Sequence, residues 1–191
     1  QGFLEIYVCL GHLGKIIEEY VGDGSRFGVK VFYSYDGEKP LGTGGALFNA
    51  VQVLQSDFAF TYGDSFLPTN FASAKKTFAE TEKSGLITVY RNSNGFVRSN
   101  MKKLKSGRFT YSKKDGSGDY DYVDYGMTFL KREEFKRCSL TPPWDIGDLI
   151  ADMLNKDCLE TFQVMERFYE VGSPSGISDL DFFLRSTNEF C

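Results

Sequence analysis

The chain has 191 residues, a formal net charge of -4, and 41% hydrophobic and 25% charged residues. That is enough length for one domain with a real core, and the acidic balance argues against a broad basic surface for nucleic acid. No apolar run approaches the ~20 residues needed to cross a bilayer, and nothing resembles a signal peptide. The four cysteines, Cys9, Cys138, Cys158 and Cys191, show no metal-type spacing and read as reduced thiols of a cytoplasmic protein.

In chain order, residues 3–10 predict a strand, with Gly2 placed as the C-cap of a helix ahead of it. Leu13 to Tyr20 is a short helical stretch ending at Gly22-Asp23-Gly24, and residues 29–35 predict a second strand. A helix is expected from about Gly45 to Leu54, because Leu47, Ala50, Val51 and Leu54 share one stripe. Phe58 to Tyr62 is a short strand, and Asn70 caps a helix carrying Phe71, Ala74 and Phe78 on one face. Leu86 to Tyr90 is another strand. This alternation predicts an α/β fold with a Rossmann-like, mostly parallel sheet flanked by helices, in a single domain over residues 1–191.

The second half changes character. Residues 96–114 read as short strands around Ser106-Gly107, followed by a polar loop from Asp115 to Asp119. Tyr122 to Leu130 reads as a strand interrupted by Gly126, and a glycine inside a strand marks a bulge or a close backbone approach. Ile146 to Leu154 is helical, Phe162 to Val171 is one strand, and Ser173-Pro174 opens the last helix.

Two segments carry chemistry. Leu41-Gly42-Thr43-Gly44-Gly45-Ala46-Leu47 places three glycines in four residues at the start of an amphipathic run. Glycines there let backbone N–H groups approach a ligand that a Cβ would push away. Tyr62-Gly63-Asp64-Ser65 ends an apolar strand on a carboxylate, where an open α/β sheet places its ligand chemistry. Together they suggest a nucleotide held against a sheet edge, with a metal ion on Asp64.

With Gly11-His12-Leu13-Gly14, Gly22-Asp23-Gly24, Phe27-Gly28-Val29, Asp124-Tyr125-Gly126 and Phe168 to Pro174, these segments fall in one order. In that order the chain resembles the sugar-phosphate nucleotidyltransferases, the nucleotide-sugar pyrophosphorylases. The resemblance implies transfer of a nucleotidyl group from a nucleoside triphosphate to a sugar 1-phosphate, with release of pyrophosphate and Mg²⁺ as cofactor. It implies that Gly42, Thr43, Gly44 and Gly45 pack on base and ribose, and that Asp64 and Glu170 ligate the metal. Lys113 or Lys114 would hold the sugar phosphate, and Asp124 and Gly126 would contact the sugar. At positions 124 and 170 the family more often has Asn and Asp. His12, the only histidine, reads as a loop residue.

The family's N-terminal strand–loop–helix unit, whose Gly-x-Gly-x-Arg loop and following Lys-Pro pair grip the triphosphate, is expected to be missing, with neither pattern read in this chain. The chain is therefore expected to be a truncated form with weak or absent turnover. Residues 3–10 would then pair directly with 58–62, or a second copy would fill the gap and make a homodimer. Two other readings stay open: a non-catalytic nucleotide-sugar-binding or regulatory relative, and a GT-A glycosyltransferase. The latter needs an Asp-x-Asp at a strand end, and Asp119-Tyr120-Asp121 and Asp179-Leu180-Asp181 fit only the letters. No Gly-Lys-Ser/Thr P-loop is present.

Overall fold

The structure is a computed structural model that describes residues 1–113, 120–137 and 141–187. Its elements run β1 (Glu5–Leu10), α1 (Gly14–Val21), a 3-10 turn (Ser25–Phe27), β2 (Lys30–Tyr35), α2 (Gly42–Val51), β3 (Phe58–Thr61) and β4 (Ser65–Phe66). They continue with α3 (Ala72–Glu80), β5 (Gly85–Arg91), β6 (Met101–Lys103), β7 (Phe109–Tyr111) and β8 (Tyr122–Leu130). The last are α4 (Arg132–Lys136), α5 (Ile146–Asn155), β9 (Leu159–Val164), β10 (Tyr169–Glu170) and α6 (Pro174–Thr187). Local chemistry sets several ends. Gly22, at φ +64°, closes α1 by donating to Glu18 O at 2.8 Å. Ser173 Oγ accepts the Gly176 N–H at 3.1 Å and starts α6 with Pro174 in its first turn.

The chain divides into two compact units. The first comprises Gln1–Phe58 and Lys131–Met153. Its β1 and β2 pair in parallel, Glu5 opposite Lys30 through Leu10 opposite Tyr35, as expected of strands joined through a helix. Tyr7 stacks on Phe32 at 4.7 Å across this ladder. Its aromatic core gathers on Phe135, whose ring lies 6.1 Å from Phe48, 5.6 Å from Phe58 and 6.3 Å from Trp144.

The second unit comprises Ala59–Leu130 and Leu154–Cys191. Its main sheet has the order β7-β6-β8-β5-β9, with β3 also on β8. Leu86, Ile87 and Val89 of β5 and Phe129 of β8 are sealed from solvent. The β5–β8 register slips between Ile87 and Val89, which face Thr128 and Asp124, so β8 bulges outward around Gly126. Gly126 sits at φ +98°, a conformation that a side chain would strain. The expected interruption of this strand is therefore a bulge. A separate two-stranded ladder pairs β4 with β10.

Four expectations are corrected in detail, while the α/β class stands. The sheets are mixed rather than mostly parallel: β1–β2 and β5–β9 are parallel, whereas β5–β8, β6–β7, β6–β8 and β4–β10 are antiparallel. Residues 3–10 do not pair with 58–62, because β1 takes β2 as its partner and β3 takes β8. The single strand expected over 162–171 is two, since β9 runs along β5 and β10 along β4. The chain turns between them, where Thr69 Oγ1 donates to Glu166 Oε2 at 2.8 Å. Finally, α2 begins at Gly42 and so takes in the glycines that were read as a loop before it.

Candidate active site

The glycine segment belongs to the first unit. A Cβ on Gly42 would meet the Trp144 backbone, and one on Gly44 would fall among the Trp144 ring carbons. Main-chain bonds fix the approach: Gly44 N–H donates to Trp144 O and Trp144 N–H to Leu41 O, each at 3.1 Å. Thr43 Oγ1 accepts the Ile146 N–H at 3.0 Å and so caps α5. The protein's own tryptophan thus already requires glycine at 42 and 44. Trp144 is the only tryptophan of the chain. It is 9% exposed, and its indole Nε1 is a sealed donor with no partner among the described residues. Nothing in the sequence distinguished it beyond its place after Pro142-Pro143.

The expectation that neither signature pattern is present needs correcting: Gly22-Asp23-Gly24-Ser25-Arg26 carries the letters Gly-x-Gly-x-Arg, and Lys39-Pro40 follows. Its setting differs from a phosphate loop, which follows a strand and opens a helix. These residues lie after α1 and lead through the 3-10 turn into β2. The loop's donors are spent internally, Ser25 N–H on Asp23 Oδ1 and Phe27 N–H on Gly24 O, each at 2.9 Å. The Arg26 guanidinium stacks over Tyr20 at 4.3 Å and Phe27 at 4.5 Å. His12 is an exposed turn residue.

The carboxylates belong to the second unit. Asp64 follows β3, and its carbonyl accepts the Val171 N–H at 2.7 Å. Glu170 lies opposite Ser65 in the β4–β10 ladder, so their side chains share a face. Ser65 Oγ donates to Asp64 Oδ1 at 3.3 Å. Both carboxylates are exposed, and neither forms an ion pair with a described residue. An exposed carboxylate in the turn before β4 and another on β10 are the kind of oxygen donors that suit a hard divalent ion keeping most of its waters. Among the described residues, three or more such donors are nowhere gathered.

Asp124 lies on β8, where the bulge sets its carboxyl against the chain: Oδ1 accepts the Gly126 N–H at 3.0 Å. Burial pushes this carboxyl up to about 6, opposed by that N–H and by the Lys113 ammonium nearby. The two sugar-site residues and Lys113 are thus brought together, while Lys114 lies outside the described residues. A further residue joins them that the sequence did not single out. Asn100 Oδ1 accepts the Asp124 N–H at 2.9 Å, and its carbonyl accepts the Ser112 N–H at 2.9 Å.

Among the described residues, no Asp of the Asp-x-Asp alternatives ends a strand at its C-terminal side, and Asp121 comes just before β8. Asp179 and Asp181 lie in α6, paired with Arg167 at 3.1 Å and Arg185 at 2.8 Å. Asp121 is exposed and 3.9 Å from Arg91, and Asp119 lies outside the described residues.

Residues 1–96 match the nucleotidyl transferase family model. A D-glycero-alpha-D-manno-heptose 1-phosphate guanylyltransferase of Campylobacter jejuni is 31% identical over 180 residues, covering 91% of this chain and 76% of that protein. A UTP–glucose-1-phosphate uridylyltransferase of Synechocystis is 33% identical over 101 residues, which is 47% of this chain. That match spans only 25% of the uridylyltransferase's own length. The crystal structure of HddC from Yersinia pseudotuberculosis superposes with a TM-score of 0.76 over 95% of this chain and 80% of that one. At 17% identity, that likeness bears on the fold alone. Among the described residues, no helix is long and apolar enough to cross a membrane.

Proposed function

The chain belongs to the nucleotidyl transferase family, and on that premise we propose that it acts on a nucleoside triphosphate and a sugar 1-phosphate. A phosphate oxygen of the sugar 1-phosphate forms a bond to the α-phosphorus, the bond to the β-phosphate oxygen breaks, and pyrophosphate leaves. Gly42, Thr43, Gly44 and Gly45 serve the base and ribose. Asp64 and Glu170 would hold Mg²⁺, which when bound neutralises charge developing on the phosphates. Lys113, or Lys114 beyond it, steadies the sugar phosphate close to its target, a positioning contribution. Asp124 and Gly126 face the sugar. The observation that supports this reading is the β4–β10 ladder, which pairs Glu170 with Ser65, the residue after Asp64, while Asp64 O accepts the Val171 N–H. The reaction supplies nucleotide-sugars of the kind used in polysaccharide assembly in the cytoplasm, and a homodimer is the proposed assembly.

A second reading, binding without turnover, is favoured by one observation. The only Gly-x-Gly-x-Arg letters in the 191 residues lie in the helix-to-strand connection of Gly22 to Arg26. Two measurements separate the readings. Trp144 emission, titrated with nucleoside triphosphates and nucleotide-sugars with and without Mg²⁺, reports occupancy beside Gly44. Coupled pyrophosphate release reports turnover. Metal-dependent binding lost in Asp64→Ala, with slow release, is the expected result. Binding with no release establishes the second reading, and binding that ignores both Mg²⁺ and Asp64→Ala overturns the metal assignment.

A further inference from the structure

Asn100 enters β6 and is held on three sides. Its N–H donates to Tyr122 O at 3.1 Å, its carbonyl takes the Ser112 N–H, and its side-chain oxygen takes the Asp124 N–H. The last bond settles which way the amide faces, because only an oxygen can accept there. Nδ2 therefore points away from the β8 backbone with two N–H donors, and these meet no acceptor among the described residues. Asp124 is complementary: Oδ1 is committed to Gly126, while Oδ2 takes no hydrogen bond from a described residue. Neither Nδ2 nor Oδ2 is among the polar atoms sealed from solvent.

A donor and an acceptor with no partner among the described residues, on residues linked by a 2.9 Å bond, are the complement of one hydroxyl group, which accepts and donates at once. We infer that Asn100 is a sugar-recognising residue, its Nδ2 donating to the same substrate hydroxyl whose proton Asp124 Oδ2 accepts. The inference rests on the sugar 1-phosphate reading above. It narrows the substrate to sugars with a free hydroxyl at that ring position, and disfavours those deoxygenated or acylated there. Lys113, the charged group that lowers the Asp124 carboxyl, serves the phosphate of the same ligand.

The test is calorimetric titration of the 191-residue protein in Mg²⁺ with hexose and heptose 1-phosphates, then with each monodeoxy derivative of the tightest binder. The wild type should bind one monodeoxy derivative more than about tenfold more weakly than its parent, because a donor and an acceptor are then left unpaired. In Asn100→Ala and in Asn100→Asp, which keeps an acceptor for the Asp124 N–H but loses the donor, parent and derivative should bind alike. The ranking of the other derivatives should not change. Uniform binding of every monodeoxy sugar by the wild type, or unchanged discrimination in both variants, overturns the inference. Should the variants fail to fold, the wild-type series still decides. The Asn100 side-chain amide resonance must then move with the parent sugar and stay put with the discriminated derivative. A wild type that binds no sugar 1-phosphate overturns the sugar-phosphate reading itself, and the inference falls with it.

Discussion

Strands β1 and β5 are both rich in β-branched and apolar residues, yet the chain treats them differently. Strand β5 is flanked by β8 and β9 and buries five consecutive residues from Gly85 to Val89. Among the described residues, strand β1 has β2 as its one ladder partner, and only Leu10 in it is buried. A strand covered on both edges and both faces draws ~1.5–3 kcal/mol from each large apolar side chain it seals. A strand in a two-stranded ladder draws less from every residue, and such ladders are marginal on their own. Similar strand composition thus yields a firm sheet in the second unit and a weakly held parallel pair in the first.

Alanine substitutions break or sharpen that contrast most directly. Ile87→Ala, at a position with no solvent exposure, should destabilise by ~2–5 kcal/mol in urea titrations. Ile6→Ala, half-buried in β1, should cost roughly 1 kcal/mol. Equal losses would mean that the parallel pair is as well covered as the mixed sheet. Next in size is Gly44→Ala, whose Cβ would enter the Trp144 ring. Overpacking of this kind costs ~1–3 kcal/mol, and because Trp144 is the chain's one tryptophan its emission should move to the red as the ring is displaced. Unchanged emission and stability would show that α2 has room to spare.

The same contrast governs what could be read in advance. Where side chains seal a strand, as in Leu86 to Tyr90 and Tyr122 to Leu130, periodicity located the element within a residue or two. Pairing was another matter. Nothing local in Phe162 to Val171 says that the chain leaves β5 for β4 near Glu166, because that turn depends on Thr69, far away in sequence. The glycines at 42 and 44 were legible as a place of close approach. That the approaching group includes Trp144 was not, since the partner lies about a hundred residues on. Asp64 stood out as a carboxylate ending an apolar strand, whereas Glu170 and Asp124 were named only by the family resemblance. Asn100 did not stand out, because its meaning lies wholly in the direction its amide faces.

The mixed sheet also holds the charge it tolerates least. In the folded chain the Asp124 carboxyl keeps its proton up to about pH 6, whereas an ordinary aspartate releases it near 3.8. The folded state therefore binds more protons between these values, and stability must fall as pH rises through that window. For a sealed group the difference is worth ~3 kcal/mol. Asp124 is half-buried, and its remaining contact with water reduces the expected loss to roughly 1–2 kcal/mol. Urea midpoints across pH 4 to 7 should decline for the wild type, and Asp124→Asn should flatten the decline. A wild-type profile with no such slope would mean that water reaches the carboxyl freely.

The smallest effect belongs to the rim of the same sheet. Lys83 lies 2.9 Å from Asp157 and 3.6 Å from Glu160, while Arg108 donates to Leu154 O at 3.1 Å and Asn155 O at 2.7 Å at the C-terminal end of α5. The Lys83 hydrogen bond and charge hold the Asp157 carboxyl below its ordinary range, so this pair stabilises the fold at neutral pH. That support is lost as pH falls through the lowered value. Its partners are half in solvent, which screens the attraction. Lys83→Met should therefore shift the urea midpoint less than any substitution above, and strong salt should remove most of the shift, leaving what its 3.3 Å hydrogen bond to Leu159 O contributes. Arg108→Ala should shift it further at every salt concentration, because it also strips two carbonyls at a helix terminus of their donor. If salt erased both effects alike, charge alone would hold the rim, and the capping bonds to Leu154 and Asn155 would contribute nothing.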